Sequence, residues 1–185
     1  MQKVLAVDPS SSSLGWAIID TREIPLDAGV FYYNTDISIS NRVKHIVNEI
    51  KHIIDCYNLK RGDYFVVESS AGCINPRTFL ILERIRGAGE AVALLNGLTV
   101  LGRINPRSIH VNLLGIKKSL ARVFVKSAIR SYVEKQFSAF LKSAEIEVIP
   151  KNQDVFDALL LGYYFVRILK MCNNGGDVSA YLTDI

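Results

Sequence analysis

The chain is poor in the residues that build covalent or thiolate-metal scaffolds. Its 185 residues include three cysteines, Cys56, Cys73 and Cys172, far apart and with no Cys-x-x-Cys pair or Cys/His cluster. That excludes a disulfide framework and a zinc site of the ribbon type, and predicts three reduced, mostly buried thiols. Histidine is equally scarce: His45 and His52 fall seven apart on one predicted helix face and read as surface residues, and His110 stands alone. No uncharged stretch approaches the ~20 residues of a membrane span; the most apolar, 158–166, stops at Arg167. The N-terminus meets an acid, Asp8, right after the apolar run 4–7, which is no signal peptide. A soluble, cytoplasmic protein with no membrane partner is expected. Charge of one sign is not in excess either: 22 Lys+Arg against 18 Asp+Glu gives +4, too mild by itself to announce a nucleic-acid binder.

What is present is a globular composition, 49% hydrophobic and 22% charged, with the length of one domain and enough residues for a real core. Short apolar runs at 4–7, 14–20 and 29–33 predict three strands joined by turns, an antiparallel meander. Val43, Ile46, Val47, Ile50, Ile53, Ile54 and Tyr57 then recur with helical spacing. Residues 64–67 give a fourth buried strand running into Glu68. Asn75-Pro76 reads as N-cap and first position of a helix to about Leu95. Its Gly87-Ala88-Gly89 stretch suggests close approach of another element, such as a second subunit. A fifth strand is expected at 98–101, an extended piece at 109–113, a helix over 117–141 and a last helix over 154–171. This order predicts an α/β fold with one mixed sheet covered by helices: a single domain over 1–172, then a flexible tail at 173–185.

Four acids occupy comparable places. Asp8 ends the first strand, Glu68 ends the fourth, and Asp154 and Asp157 open the last helix on one face. Taken singly each has an ordinary structural reading, Asp8 as a turn residue and Asp154 as an N-cap. Taken together they would repel one another unless cations intervene. Oxygen ligands without sulfur or imidazole favour Mg²⁺ or Mn²⁺, and two such ions form the clamp used for phosphodiester hydrolysis.

Setting those four acids aside doubles the formal +4, and part of the remaining positive charge is concentrated. Lys118, Arg122, Lys126 and Arg130 repeat every four residues, with Lys117 beside them, a basic helix face that fits either DNA phosphates or plain solvent. Arg77, Arg84 and Arg86 form a second basic cluster. Phe65, Phe124, Phe156 and Phe165 read as core, Trp16 as packing, and Phe79 as a candidate wedge.

Three segments resemble the motifs of RuvC-like Holliday junction resolvases, with phage-type members the most similar. Val4-Leu5-Ala6-Val7-Asp8-Pro9-Ser10 through Leu14-Gly15-Trp16-Ala17 resembles the first motif. Phe65-Val66-Val67-Glu68 resembles the second. Gln153-Asp154-Val155-Phe156-Asp157-Ala158-Leu159, with its Asp-x-x-Asp-Ala-Leu signature, resembles the last. Arg86-Gly87-x-Gly89 and Leu114-Gly115-Ile116-Lys117-Lys118 sit where the family has a helix glycine and a glycine-then-lysine segment. Two features depart from the family pattern: 11–13 is all serine, and 69–74 has no aromatic.

The resemblance implies an RNase H-like mixed five-stranded sheet flanked by helices. It implies Mg²⁺-dependent cleavage of branched DNA by a homodimer that nicks opposing strands of a four-way junction, leaving 5′-phosphate and 3′-hydroxyl ends, in a bacterial or phage-infected cell. Asp8, Glu68, Asp154 and Asp157 become the expected catalytic and metal-ligating residues, holding two ions. Lys117, Lys118, Arg122, Lys126 and Arg77 become the expected DNA contacts, and a branch-migration motor a further partner. The alternative is another RNase H-like nuclease, acting on RNA–DNA hybrids or flaps.

Overall fold

A computed structural model describes residues 1–69, 75–117, 120–173, 176–177 and 180–182. Lys118, Cys73 and the aromatic-free stretch 70–74 lie outside the described residues.

Strands β1 (Lys3–Pro9), β2 (Ser13–Asp20), β3 (Pro25–Tyr32), β4 (Tyr64–Glu68) and β5 (Thr99–Ile104) form one sheet in the order β3-β2-β1-β4-β5. β1 pairs antiparallel with β2 and parallel with β4; β2–β3 is antiparallel and β4–β5 parallel. Five strands lie between helices α1 (Ile39–Cys56) and α2 (Pro76–Leu95) on one side and α3 (Pro106–Asn112), α4 (Arg122–Ser143) and α5 (Gln153–Asn173) on the other. The mixed five-stranded sheet flanked by helices is therefore present.

Side chains alternate across each strand, so parity sorts the core into two layers. Leu5, Val7, Leu14, Trp16, Ile18, Phe65 and Val67 face α1 and α2. Val4, Ala6, Ala17, Ile19, Ala28 and Val66 face α5. The second set is small, which lets α5 come close. A Cβ on Gly162 of α5 would lie 3.0 Å from both Ala6 Cβ and Ile19 Cδ1. Helix α5 is apolar nearly all round, with 13 residues buried from Gln153 to Ile168, as expected for a helix enclosed by other elements. Tyr181 and Leu182 also pack against this layer. Trp16 is packing, as expected, stacked on Phe31 at 6.1 Å and tilted on Tyr57. Among the described residues no helix is long and apolar enough to cross a membrane.

Several expectations need correction. The extended piece at 109–113 is instead α3, capped by Asn105 accepting from the Arg107 amide with Pro106 in the first turn; this repeats the Asn75-Pro76 start of α2. The fifth strand runs on to Ile104, and the third begins at Pro25. Helix α4 starts at Arg122 rather than at 117, so Lys117 precedes the helix and the regular basic stripe keeps only Arg122, Lys126 and Arg130. Phe124 is not core but 65% exposed. Cys56 is exposed and Cys172 half-buried, so burial of the thiols does not hold for these two. Gly89 is indeed a close approach, but to Ile50 and Phe65 of the same chain, and Gly87 faces open space.

Candidate active site

Parity places the first two acids. Asp8 shares its face of β1 with Val4 and Ala6, and Glu68 shares its face of β4 with Tyr64 and Val66, so both carboxylates point toward α5. The parallel pairing, with Val7 opposite Val67, sets them side by side at the carboxyl ends of the two central strands. That is the edge where open α/β sheets bind ligands.

The other two acids arrive on the first turn of α5. This turn sits directly on Gly15 of β2, the residue paired with Asp8. A Cβ there would lie 2.1 Å from the Asp154 carbonyl oxygen, so only glycine admits the helix at this depth. One carboxylate oxygen each from Asp8, Asp154 and Asp157 then lie within 4.8 Å of one another. Glu68 lies outside that tightest set but lines the same cleft of about 550 Å³. Asp8, Asp154, Asp157, Arg86, Arg122 and Lys126 line it too.

Neighbouring side chains fix these acids. Ser13 Oγ donates to Asp154 Oδ2 at 2.5 Å and contacts Ser10 Oγ at 2.6 Å. The Tyr33 hydroxyl donates to the carbonyls of Ser10 and Ser13, which pins the β1–β2 turn. The all-serine turn thus supplies a bond to Asp154. Buried Gln153 donates from Nε2 to Asp157 Oδ1 at 2.9 Å and accepts from Arg130 Nη1 at 2.9 Å. Arg130, one of the four residues of the basic stripe, props Asp157 through Gln153.

The remaining expected contacts divide. Arg122 and Lys126 stand at the cleft, and their charges act on Asp157. Lys117 is exposed, and its carbonyl accepts from Arg107. Arg77 is not in the acidic cleft; with Arg42 and Arg84 it lines a separate groove of about 650 Å³ between the starts of α1 and α2. Arg86 leaves the surface cluster altogether: it is 4% exposed and faces the acids. Four contributors had no role in the site assigned from the sequence: Ser13, Gly15, Gln153 and Arg86. Each acts through a contact between elements far apart in the chain or through its own burial.

Three of these acids bind protons more tightly than an ordinary carboxylate. Burial, then the charges of Glu68, Asp157 and Asp154, push Asp8 well above the ordinary carboxylate range. Burial and Asp157 raise Glu68 to about 7. Burial raises Asp157 to about 6, against the pull of Gln153 and Lys126. Groups whose native values lie above their unfolded ones, about 4, stabilise the fold below pH 4. That contribution is lost as pH rises through 6 and 7. The metal-free protein is therefore expected to lose melting temperature from this cluster between pH 5 and pH 8. A saturating divalent cation should raise Tm more at pH 8 than at pH 5. Thermal melts at the two pH values, with and without Mn²⁺, check this; a Mn²⁺ shift independent of pH would contradict it.

The donor set is all oxygen, without cysteine or histidine, which suits a hard divalent cation. A comparison of the sequence with curated proteins finds no match. The family model of the crossover junction endodeoxyribonuclease RuvC matches residues 4–161. Among solved structures, the chain is similar to Thermus thermophilus RuvC (15% identity, 92% of this chain and 97% of that chain, TM-score 0.71). It is similar to the same protein in complex with Holliday junction substrate (15% identity, 92% and 96%, TM-score 0.68). It also resembles the fowlpox virus resolvase in complex with Holliday junction DNA (15% identity, 91% and 99%, TM-score 0.57). At these identities the likeness establishes a shared fold, here the RNase H-like fold of the resolvases, while the family model spans most of the chain together with all four acids. The chain belongs to the RuvC family of crossover junction endodeoxyribonucleases.

Proposed function

We propose that the protein resolves four-way DNA junctions by hydrolysing a phosphodiester in the acidic cleft, with Asp8, Glu68, Asp154 and Asp157 as ligands of two Mg²⁺ ions, for which Mn²⁺ substitutes. The observation that carries this reading is the convergence of oxygen donors from two strand ends and one helix start, beside Arg122 and Lys126. The raised proton affinity of Asp8, Glu68 and Asp157 comes first from burial and then from neighbouring carboxylates, and bound divalent cations would offset both. When bound, such ions supply the Lewis acidity that activates a water and stabilises the departing 3′ oxygen.

The chain's own residues hold the geometry. Pairing of β1 with β4 sets Asp8 against Glu68, Ser13 orients Asp154, and Gln153 orients Asp157. Lys126 and Arg122 receive the phosphates of the scissile strand. Lys117 and Lys118 extend those contacts ahead of α4. Arg77 in the adjoining groove contacts DNA away from the cut. Among the described residues one chain carries one such cluster, and symmetric resolution requires two cuts, so a homodimer with two clefts is the working unit.

The test compares a four-way junction, a flap and an RNA–DNA hybrid of matched sequence, each strand labelled in turn, in Mg²⁺. Paired nicks in opposing strands of the junction alone, leaving 5′-phosphates, are expected. Equal cutting of flap or hybrid would favour a less selective RNase H-like nuclease.

A further inference from the structure

Arg86 is the buried cation of the cleft, and its place is fixed by an ionic ladder. Its Nε donates to the carbonyl oxygen of Glu68 at 2.6 Å, and its Nη1 lies 3.4 Å from Glu83 Oε1. Glu83 Oε2 in turn accepts from Arg103 Nη1 at 2.5 Å. Arg103, on β5, binds Glu90 through both ends of its fork, at 2.7 and 2.8 Å. The charges alternate from Glu90 to Arg86, and the last one faces the acids. Arg86, Glu90 and Arg103 are all buried. A ladder this enclosed is expensive to desolvate, and packing alone would be served as well by apolar side chains. Its geometry instead delivers one positive charge to a defined point beside Asp8 and Glu68.

We propose that Arg86 is a positioning residue that serves as the resident counter-ion of the acidic cluster, holding it together before cations arrive and opposing their entry once they do. The inference rests on the reading of the cluster as a metal site. Arg86 and a divalent cation offset the same negative charge, so each reduces what the other contributes. The arginine fork suits the position because one group reaches both the Glu68 carbonyl and Glu83, which a lysine ammonium does at best singly.

The sign of this coupling separates it from a structural role. Mn²⁺ binding is measured by calorimetry on the full chain without DNA, for wild type, Arg86→Gln, Arg86→Lys and Glu83→Gln, with melts in the presence and absence of Mn²⁺. Arg86→Gln should bind Mn²⁺ roughly three- to tenfold tighter, melt lower without metal, and gain more Tm on adding it. Arg86→Lys, which keeps the charge, should stay near wild type. Glu83→Gln, which leaves the arginine less compensated, should bind Mn²⁺ more weakly. A residue that only braces the fold would weaken Mn²⁺ binding in every variant, and that pattern, or unchanged affinity in Arg86→Gln, overturns the proposal. Should Arg86→Gln not fold, unchanged Mn²⁺ affinity in Arg86→Lys beside weakened affinity in Glu83→Gln still decides for the proposal, and weakened affinity in both decides against it. Absence of Mn²⁺ binding in wild type, or binding that Asp8→Asn leaves intact, would instead defeat the metal-site reading and this inference with it.

Discussion

Asp8→Asn and Glu68→Gln are each expected to slow Mg²⁺-dependent junction cleavage by at least about a thousandfold, roughly 4 kcal/mol of barrier, while leaving junction binding in EDTA intact. Both changes conserve shape and remove one charge from the cluster between the ends of β1 and β4. The same charges are what the metal-free fold tolerates least, since burial and mutual repulsion hold Asp8 far above its ordinary range and Glu68 at about 7. Both variants should therefore melt above wild type in EDTA at pH 8 and gain less from Mn²⁺. Stability and activity move in opposite directions when a site is assembled from groups that repel until loaded. The measurements are single-turnover cleavage, a binding titration without metal, and melts. Cleavage within tenfold of wild type in either variant would remove that residue from the chemistry, and lost binding would mean that it contacts DNA instead.

How much of this was legible in the sequence depends on the range of the interaction concerned. Strand parity needs only neighbours in the chain, so the runs ahead of Asp8 and Glu68 announced buried strands ending in acids. Asn75-Pro76 announced the start of α2 because cap chemistry is local. Asn105-Pro106 starts α3 in the same way, but the apolar residues that follow fit a strand as well as one buried helix face. The basic stripe was misread where its helical spacing ran ahead of the helix: the true start at Arg122 leaves Lys117 outside, and Arg130 turns inward to Gln153. The hidden parts of the site are long-range. Ser13 meets Asp154 across 141 positions. Arg86 looked like one more surface arginine until β5 brought Arg103 to Glu83 and Glu90. Spacing on one helix cannot reveal a partner supplied by another strand.

Gly15 carries the second large effect. It faces α5 from β2 with Ser13, Ala17 and Ile19, and the first turn of the helix rests on it. A methyl group at this position meets the Asp154 carbonyl oxygen at 2.1 Å and its carbon at 2.6 Å. Both are backbone atoms, so no rotamer change relieves the clash and the turn itself must lift. The helix cannot follow as a rigid body, because Gly162 is seated on Ala6 and Ile19 further along. The lift is then confined to the turn that carries Asp154 and Asp157, while Asp8 and Glu68 stay with the sheet. Gly15→Ala should therefore open the cluster, lowering cleavage about a hundredfold and stability by about 1–3 kcal/mol. Gly29→Ala is the matched control. Its Cβ would meet the Trp16 ring at 2.9 Å, away from the acids, so it should lose stability but keep its rate when assayed well below its melting temperature. Junction cleavage and melts of the two variants side by side decide the matter. A Gly15→Ala enzyme with the wild-type rate would mean that the turn yields without moving its carboxylates, and that the depth of α5 on the sheet does not set the geometry of the site.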